Sequence, residues 1–208
     1  MGSVGIQHEQ QKDNRPIFLY GLSAGGMVAY DVASKNGRVH GIIGMTFLDQ
    51  AIPLVRNETC RNVLISHIGT PLMPVAVKLG LGKFKMKMSW ASKMWALCND
   101  PKAQAIFMTD KTSAGNSASM AFLNSYMYAK RPVSPKDFAV CPILLTQPEQ
   151  DLWTPLALSE PFLNQIQKVS VKTVMLPKGG HYPVEKEALN ALHQSALDFI
   201  QGILQAQN

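Results

Sequence analysis

Three cysteines, Cys60, Cys98 and Cys141, are all that this 208-residue sequence contains. Their number is odd and none stands in a CxxC pair, which argues against a disulfide framework and a zinc site. Each reads as a small buried hydrophobe. No stretch approaches the roughly 18 unbroken apolar residues of a membrane-crossing helix. The opening residues, MGSVGIQHEQQKDNRP, lack the basic start and apolar run of a secretory leader, and Ile6 occupies the Ser/Thr position of a myristoylation signal. A cytoplasmic location is therefore the expectation. Charge is also sparse: 16% of residues are charged against 46% hydrophobic, a balance that disfavours long disorder and points to a single domain over residues 1–208. There is no internal repeat and no low-complexity tract. The net charge of +6 comes from dispersed basic residues apart from one cluster, Lys78, Lys83, Lys85, Lys87 and Lys93, so no nucleic-acid partner is expected.

What the sequence does have is alternation. Residues 17–20, 39–48, 143–147 and 171–176 are short apolar runs without helical spacing, as in strands covered on both faces. Residues 24–36 read as a helix ending at Asn36-Gly37, and a further helix is expected from Thr154-Pro155, broken or kinked by Pro161. Residues 184–204 place Val184, Ala188, Leu192, Ala196, Phe199 and Ile203 on one stripe of a long closing helix. Strand and helix in turn imply an α/β fold, a mostly parallel sheet flanked by helices. Residues 16–49 and 136–208 would form its core. Between them, about 50–135 breaks the rhythm with expected helices at 89–98, 101–109 and 118–129, capped by Ser89, Asp100 and Ser117. This helical insertion would lie over the strand ends where ligands bind, as a lid.

The stretch IFLYGLSAGG runs a strand straight into a Gly-Ser-Gly corner followed by helical spacing. GLSAG fits GxSxG, a turn that holds a serine exposed above a sheet and needs small residues on either side; Gly21, Gly25 and Gly26 supply the space. A serine hydroxyl becomes a nucleophile only beside a base that an acid orients. Of the five histidines, His8 lies in a polar start, His40 opens a strand, His67 is in the insertion and His193 is inside the closing helix. His181 alone follows a strand directly, in VMLPKGGHYPVE, where two glycines let the loop swing the imidazole over the sheet. For the acid, ILLTQPEQDLWTP sets Glu149 and Asp151 past a strand end; Glu149 suits a turn after Pro148, and Asp151 is preferred, with Asp49 as its rival.

The segments YGLSAGG, LLTQPEQDLWTP and LPKGGHYPVE together resemble the α/β-hydrolase superfamily, and the last two its lysophospholipase, monoacylglycerol lipase and serine aminopeptidase-like branch. The resemblance implies Ser23 as nucleophile, His181 as general base and acid, Asp151 as its partner, and the Ala24 backbone N–H as one oxyanion donor, with no cofactor and no metal. In that superfamily the elbow follows the fifth of eight strands. Only 16 residues precede the strand at 17, while one parallel crossover alone takes about a dozen, so the front of the sheet is expected to be absent from this chain. The strand at 17–20 would then be an open edge, available to a homodimer or to a missing N-terminal segment. The segment GKFKMKMSWASKMW, rich in Lys, Met and Trp, suits either an apolar lid lining an acyl pocket or contact with a lipid interface. The expected activity is hydrolysis of carboxylic esters of lipid-like acyl substrates. The alternatives are a serine aminopeptidase-like peptidase and a non-catalytic unit that pairs with another chain.

Overall fold

The computed structural model describes residues 2–112 and 115–206. In chain order its elements are α1 (Gly2–Lys12), β1 (Phe18–Gly21), α2 (Ala24–Asn36), β2 (Gly41–Gly44), α3 (Pro53–Thr59), α4 (Thr70–Lys78), β3 (Lys85–Lys87), α5 (Met88–Ala91), α6 (Pro101–Thr109), β4 (Ser117–Ser119), α7 (Met120–Met127), β5 (Ile143–Pro148), α8 (Glu160–Leu163), β6 (Val171–Leu176) and α9 (Lys186–Ala206). A π-helical turn at Ile65–Gly69 leads into α4, and single 3-10 turns stand at Leu81–Lys83, Met94–Ala96, Pro135–Asp137 and Leu156–Leu158.

Four parallel strands form the main sheet in the order β1-β2-β5-β6. Leu19 stands opposite Ile42, which stands opposite Ile143, so one face of the sheet carries a continuous apolar row. Met27, Tyr30 and Ala33 of α2 pack on that row together with Phe162 and Leu163 of α8. The opposite face receives α9, whose Ala188 and Leu192 lie against Met45 and Leu176 and whose Phe199 ring covers Gly41. Helices thus flank the sheet on both faces, as the alternation of elements implied. The central strands β2 and β5 are buried throughout, but β1 and β6 are edges, with Tyr20 and Met175 exposed.

Several boundaries differ from the sequence reading. The run at 39–48 keeps only Gly41–Gly44 in the ladder. The Met45 N–H makes the last ladder bond, to the Gly21 carbonyl, and the Phe47 N–H donates to Ser159 Oγ at 3.0 Å, so a tertiary partner takes a group that a longer strand would use. The polar start is helical: α1 packs on α2 through the buried Ile6 and through Gly2, whose missing Cβ makes room for Val32. Thr154-Pro155 opens no α-helix. The Thr154 N–H and hydroxyl both go to Asp151, and the chain then passes through a 3-10 turn into the short α8, with Pro161 in its first turn.

The insertion joins β2 to β5 and holds an antiparallel ribbon of β3 and β4 beside α4 and α7. The helix expected at 89–98 stops at Ala91, because Ser92 is extended and bridges Cys60; a 3-10 turn resumes at Met94. Asp100 caps α6 as read, accepting from the Ala103 N–H at 2.7 Å. Ser119, not Ser117, caps α7, since Ser117 is paired with Lys87 in the ribbon. Among the described residues no helix is long and apolar enough to cross a membrane.

Candidate active site

The corner between β1 and α2 is a tight turn. The Gly25 N–H donates to the Leu22 carbonyl at 2.8 Å and the Gly26 N–H to the Ser23 carbonyl at 3.0 Å. A Cβ on Gly21 would lie 2.2 Å from the Gly25 carbonyl carbon, and one on Gly26 would lie 2.0 Å from the Thr46 carbonyl oxygen. A Cβ on Gly25, by contrast, would meet nothing within 4 Å. The glycines that the turn requires are therefore 21 and 26, a finer division than the motif suggests. Ser23 sits at φ 52°, ψ −125°, a conformation that costs a residue with a side chain roughly 1–3 kcal/mol and persists only when the surroundings impose it. Its hydroxyl makes no cap bond to α2, although serine at a helix start ordinarily does so.

The Ser23 Oγ lies 2.8 Å from His181 Nε2 instead. The other ring nitrogen, Nδ1, is 2.9 Å from Asp151 Oδ2. A carboxylate can only accept, so Nδ1 carries the proton and Nε2 is left to accept from the serine hydroxyl. Asp151 and His181 are both buried, at 6% and 2% exposure, so this pair is shielded from water. The carboxylate is also held by the backbone N–H groups of Trp153 (2.9 Å) and Thr154 (2.7 Å) on Oδ1. Burial of Asp151 opposes its charge, but the His181 hydrogen bond and charge, with the Thr154 N–H and hydroxyl, outweigh it and hold the carboxyl below its ordinary 3.8.

Thr154 is the residue that sequence reasoning missed here. Its hydroxyl donates to Asp151 Oδ2 at 2.7 Å, and its oxygen lies 2.9 Å from His181 Nδ1, so it can accept part of the same N–H that the carboxylate receives. The Trp153 ring lies 4.8 Å from the imidazole, centre to centre, and its Nε1–H donates to the Thr59 carbonyl in the insertion. Only the DxxT spacing hints at this, and the Thr-Pro within it is equally a helix-start pattern.

The rival acids go elsewhere. Asp49 accepts from the Ala51 N–H in a local turn, and Glu149 accepts from the Lys178 N–H, fastening the loop before His181. In that loop the positive φ of 58° falls on Lys178; Gly179 and Gly180 serve close approach, with a Cβ on Gly180 placed 2.9 Å from the Asn99 side chain. Asn99 Nδ2 in turn donates to the Gln150 carbonyl, and the Tyr182 N–H to that of Leu97, so the insertion is tied to both the acid and histidine loops. His40 Nδ1 accepts from the Ile17 N–H and has a structural partner.

Ser23 and Ala24 open into a cavity of about 410 Å³, within the usual range of ligand pockets. Its walls come mainly from the insertion and include Met73, Met86, Met88, Met120 and Met127. The hydroxyls of Thr59, Thr70 and Ser92 in the wall are spent on carbonyls of nearby residues. Gln50 and Tyr126 form the remaining polar station, joined by a long 3.4 Å contact in which the Gln50 amide donates to the Tyr126 hydroxyl. Among the described residues no Asp or Glu lines the cavity. The Ala24 N–H is the first of α2 and has no acceptor within the helix. Among the described residues no cluster of three or more His, Cys, Asp or Glu side chains could hold a metal ion.

A parallel sheet flanked by helices, with a serine at the turn from β1 into α2, makes this chain an α/β hydrolase. Residues 4–187 match the model of the family described as serine aminopeptidase, S33, and the chain belongs to that family. Among solved structures, it is similar to a soluble variant of monoglyceride lipase from Saccharomyces cerevisiae in complex with a substrate analogue (TM-score 0.69, 16% identity, 97% of this chain and 66% of that one). It is also similar to the monoacylglycerol lipase of Paleococcus ferrophilus (0.68, 15%, 97% and 74%) and to Est1E from Butyrivibrio proteoclasticus (0.57, 14%, 97% and 68%). The chain thus spans just under two thirds of the yeast protein's length, and at these identities the likeness is one of fold. Among curated proteins, none matches the sequence.

Proposed function

We propose that this protein is a serine hydrolase that cleaves carboxylic esters of lipid-like acyl substrates. The observation that carries the reading is the Ser23 Oγ set 2.8 Å from His181 Nε2 in the wall of an apolar, methionine-rich cavity. In this mechanism Oγ attacks the ester carbonyl carbon while Nε2 takes the hydroxyl proton. The carbonyl electron pair moves onto its oxygen, which the Ala24 N–H faces as one oxyanion donor. Collapse expels the alcohol, which leaves with the proton from Nε2, and the acyl group stays on Ser23. Water then attacks the acyl-enzyme by the same steps, with His181 again accepting and returning a proton, and the acid departs. Asp151 keeps the Nδ1 proton in place and balances the imidazolium. The segment 50–135 acts as the lid whose methionines adapt to a flexible chain.

Peptidase activity is the second reading, and the family description favours it. An aminopeptidase must hold a free α-ammonium group, and an acidic side chain is the natural partner for it. Among the described residues the cavity wall has none. Esters are therefore preferred over aminoacyl amides. Labelling with a fluorophosphonate probe is expected for the wild type and lost in Ser23→Ala. A folded wild type that takes no label overturns the serine mechanism. Turnover of aminoacyl p-nitroanilides above that of p-nitrophenyl acyl esters would instead establish the peptidase.

A further inference from the structure

We infer that the insertion is a docking face for an anionic lipid bilayer, reached through a surface distinct from the catalytic groups. Residues 50–135 hold eleven Lys and Arg against three Asp and Glu, while the rest of the chain holds nine against eleven. The whole positive surplus of the protein therefore sits on this one segment. The same segment carries fourteen of the twenty-three large hydrophobic side chains that stand exposed among the described residues. Leu79, Leu81, Phe84 and Trp90 are between 53% and 74% exposed, and they alternate along the chain with the exposed Lys78, Lys83, Lys85 and Lys87. Among the described residues none of these four lysines has an ion-pair partner.

Apolar groups exposed in such concentration mark an interaction surface, and unpaired lysines among them select a partner with negative charge. Aromatic and leucine side chains ringed by lysine are the composition of segments that lie in the headgroup region of a bilayer, where the ammonium groups meet lipid phosphates and the apolar tips enter the acyl boundary. The ribbon of β3 and β4 enforces this division: Met86 faces the cavity while Lys85 and Lys87 on either side of it point to solvent. Leu72 and Phe122 belong both to the cavity wall and to the exposed surface of the insertion, at 57% and 62%, so the cavity reaches the surface of this same segment. A single-chain lipid could then pass from the bilayer to Ser23 without crossing water.

Binding is tested with Ser23→Ala, which keeps the surface and removes turnover, so the result stands apart from the proposed chemistry. Cosedimentation is run with vesicles of phosphatidylcholine alone and of phosphatidylcholine with phosphatidylglycerol. The expected result is partitioning at least tenfold stronger on the anionic vesicles, falling at high salt, and falling tenfold or more when Lys83, Lys85 and Lys87 are changed together to Gln. Circular dichroism checks that this variant is folded. Trp90→Ala is expected to weaken binding and to remove most of the fluorescence change on vesicle addition. Absence of binding, equal binding to both vesicle types, or binding unchanged in the folded lysine variant each overturns the inference.

Discussion

At the scale of single residues, the hydroxyl of Thr154 bridges Asp151 and His181. Thr154→Val removes a donor to a buried carboxylate, an interaction worth about 1.5–3 kcal/mol, so kcat is expected to fall roughly 10- to 100-fold with KM little changed. Thr154→Ser, which keeps the hydroxyl, should retain most of the rate on the same ester. Asp151 supplies a pH test. Its folded carboxyl lies below its ordinary value, so the ionised form stabilises the fold; that contribution is complete above about pH 3.8 and is lost as pH falls through the folded value. Denaturant titrations should therefore show the stability gap between wild type and Asp151→Asn closing below pH 3.8. Cys141, pushed up to about 12 by burial, should resist thiol reagents until the protein unfolds. The Ser23, Asp151 and His181 positions were readable because each sits in a short local pattern after a strand. Thr154 was not, because its partner His181 is 27 residues away and DxxTP is equally a helix-start pattern.

Among the elements, the elbow discriminates between neighbouring glycines. Gly25→Ala should fold with stability equal to or up to about 1 kcal/mol above wild type, since the new methyl meets open space in a helix. Gly26→Ala drives a methyl into the Thr46 carbonyl and should lower the melting temperature sharply or prevent folding. The motif names Gly25, yet the steric demand falls on Gly26, because α2 crosses the chain leaving β2 at that point. The insertion gives a second test: Leu123, buried on α7 and part of the cavity wall, is a position where Trp should shift the preferred p-nitrophenyl ester from long acyl chains to short ones. Neither the short strand β3 nor the Ser92 bridge to Cys60 was legible, since nothing local announces a partner across the segment.

On the scale of the whole molecule, the sheet ends at β1, which has one strand neighbour and exposes Tyr20 at 55%. Such an edge offers unpaired backbone groups to another strand. Self-association through it should appear as a concentration-dependent mass in light scattering, reduced by Tyr20→Lys; a mass that stays monomeric at all concentrations counts against pairing between copies. The insertion is held to the core at several points rather than hanging free. Asn99 reaches the Gln150 carbonyl, and Arg131 pairs with Asp31 of α2 at 2.7 Å.

By itself the sequence determined the alternation of strands and helices, the strand-to-helix corner at Ser23, and the placement of Asp151 and His181 just past strand ends. These follow from side-chain periodicity and near-neighbour sterics, which act within a few residues. Only the tertiary structure decided that Thr154 completes the hydrogen bonding of the pair, that Gly26 carries the steric burden of the elbow, and that methionines from four separate elements enclose one cavity. Those outcomes depend on contacts between segments tens of residues apart, and no local period encodes them.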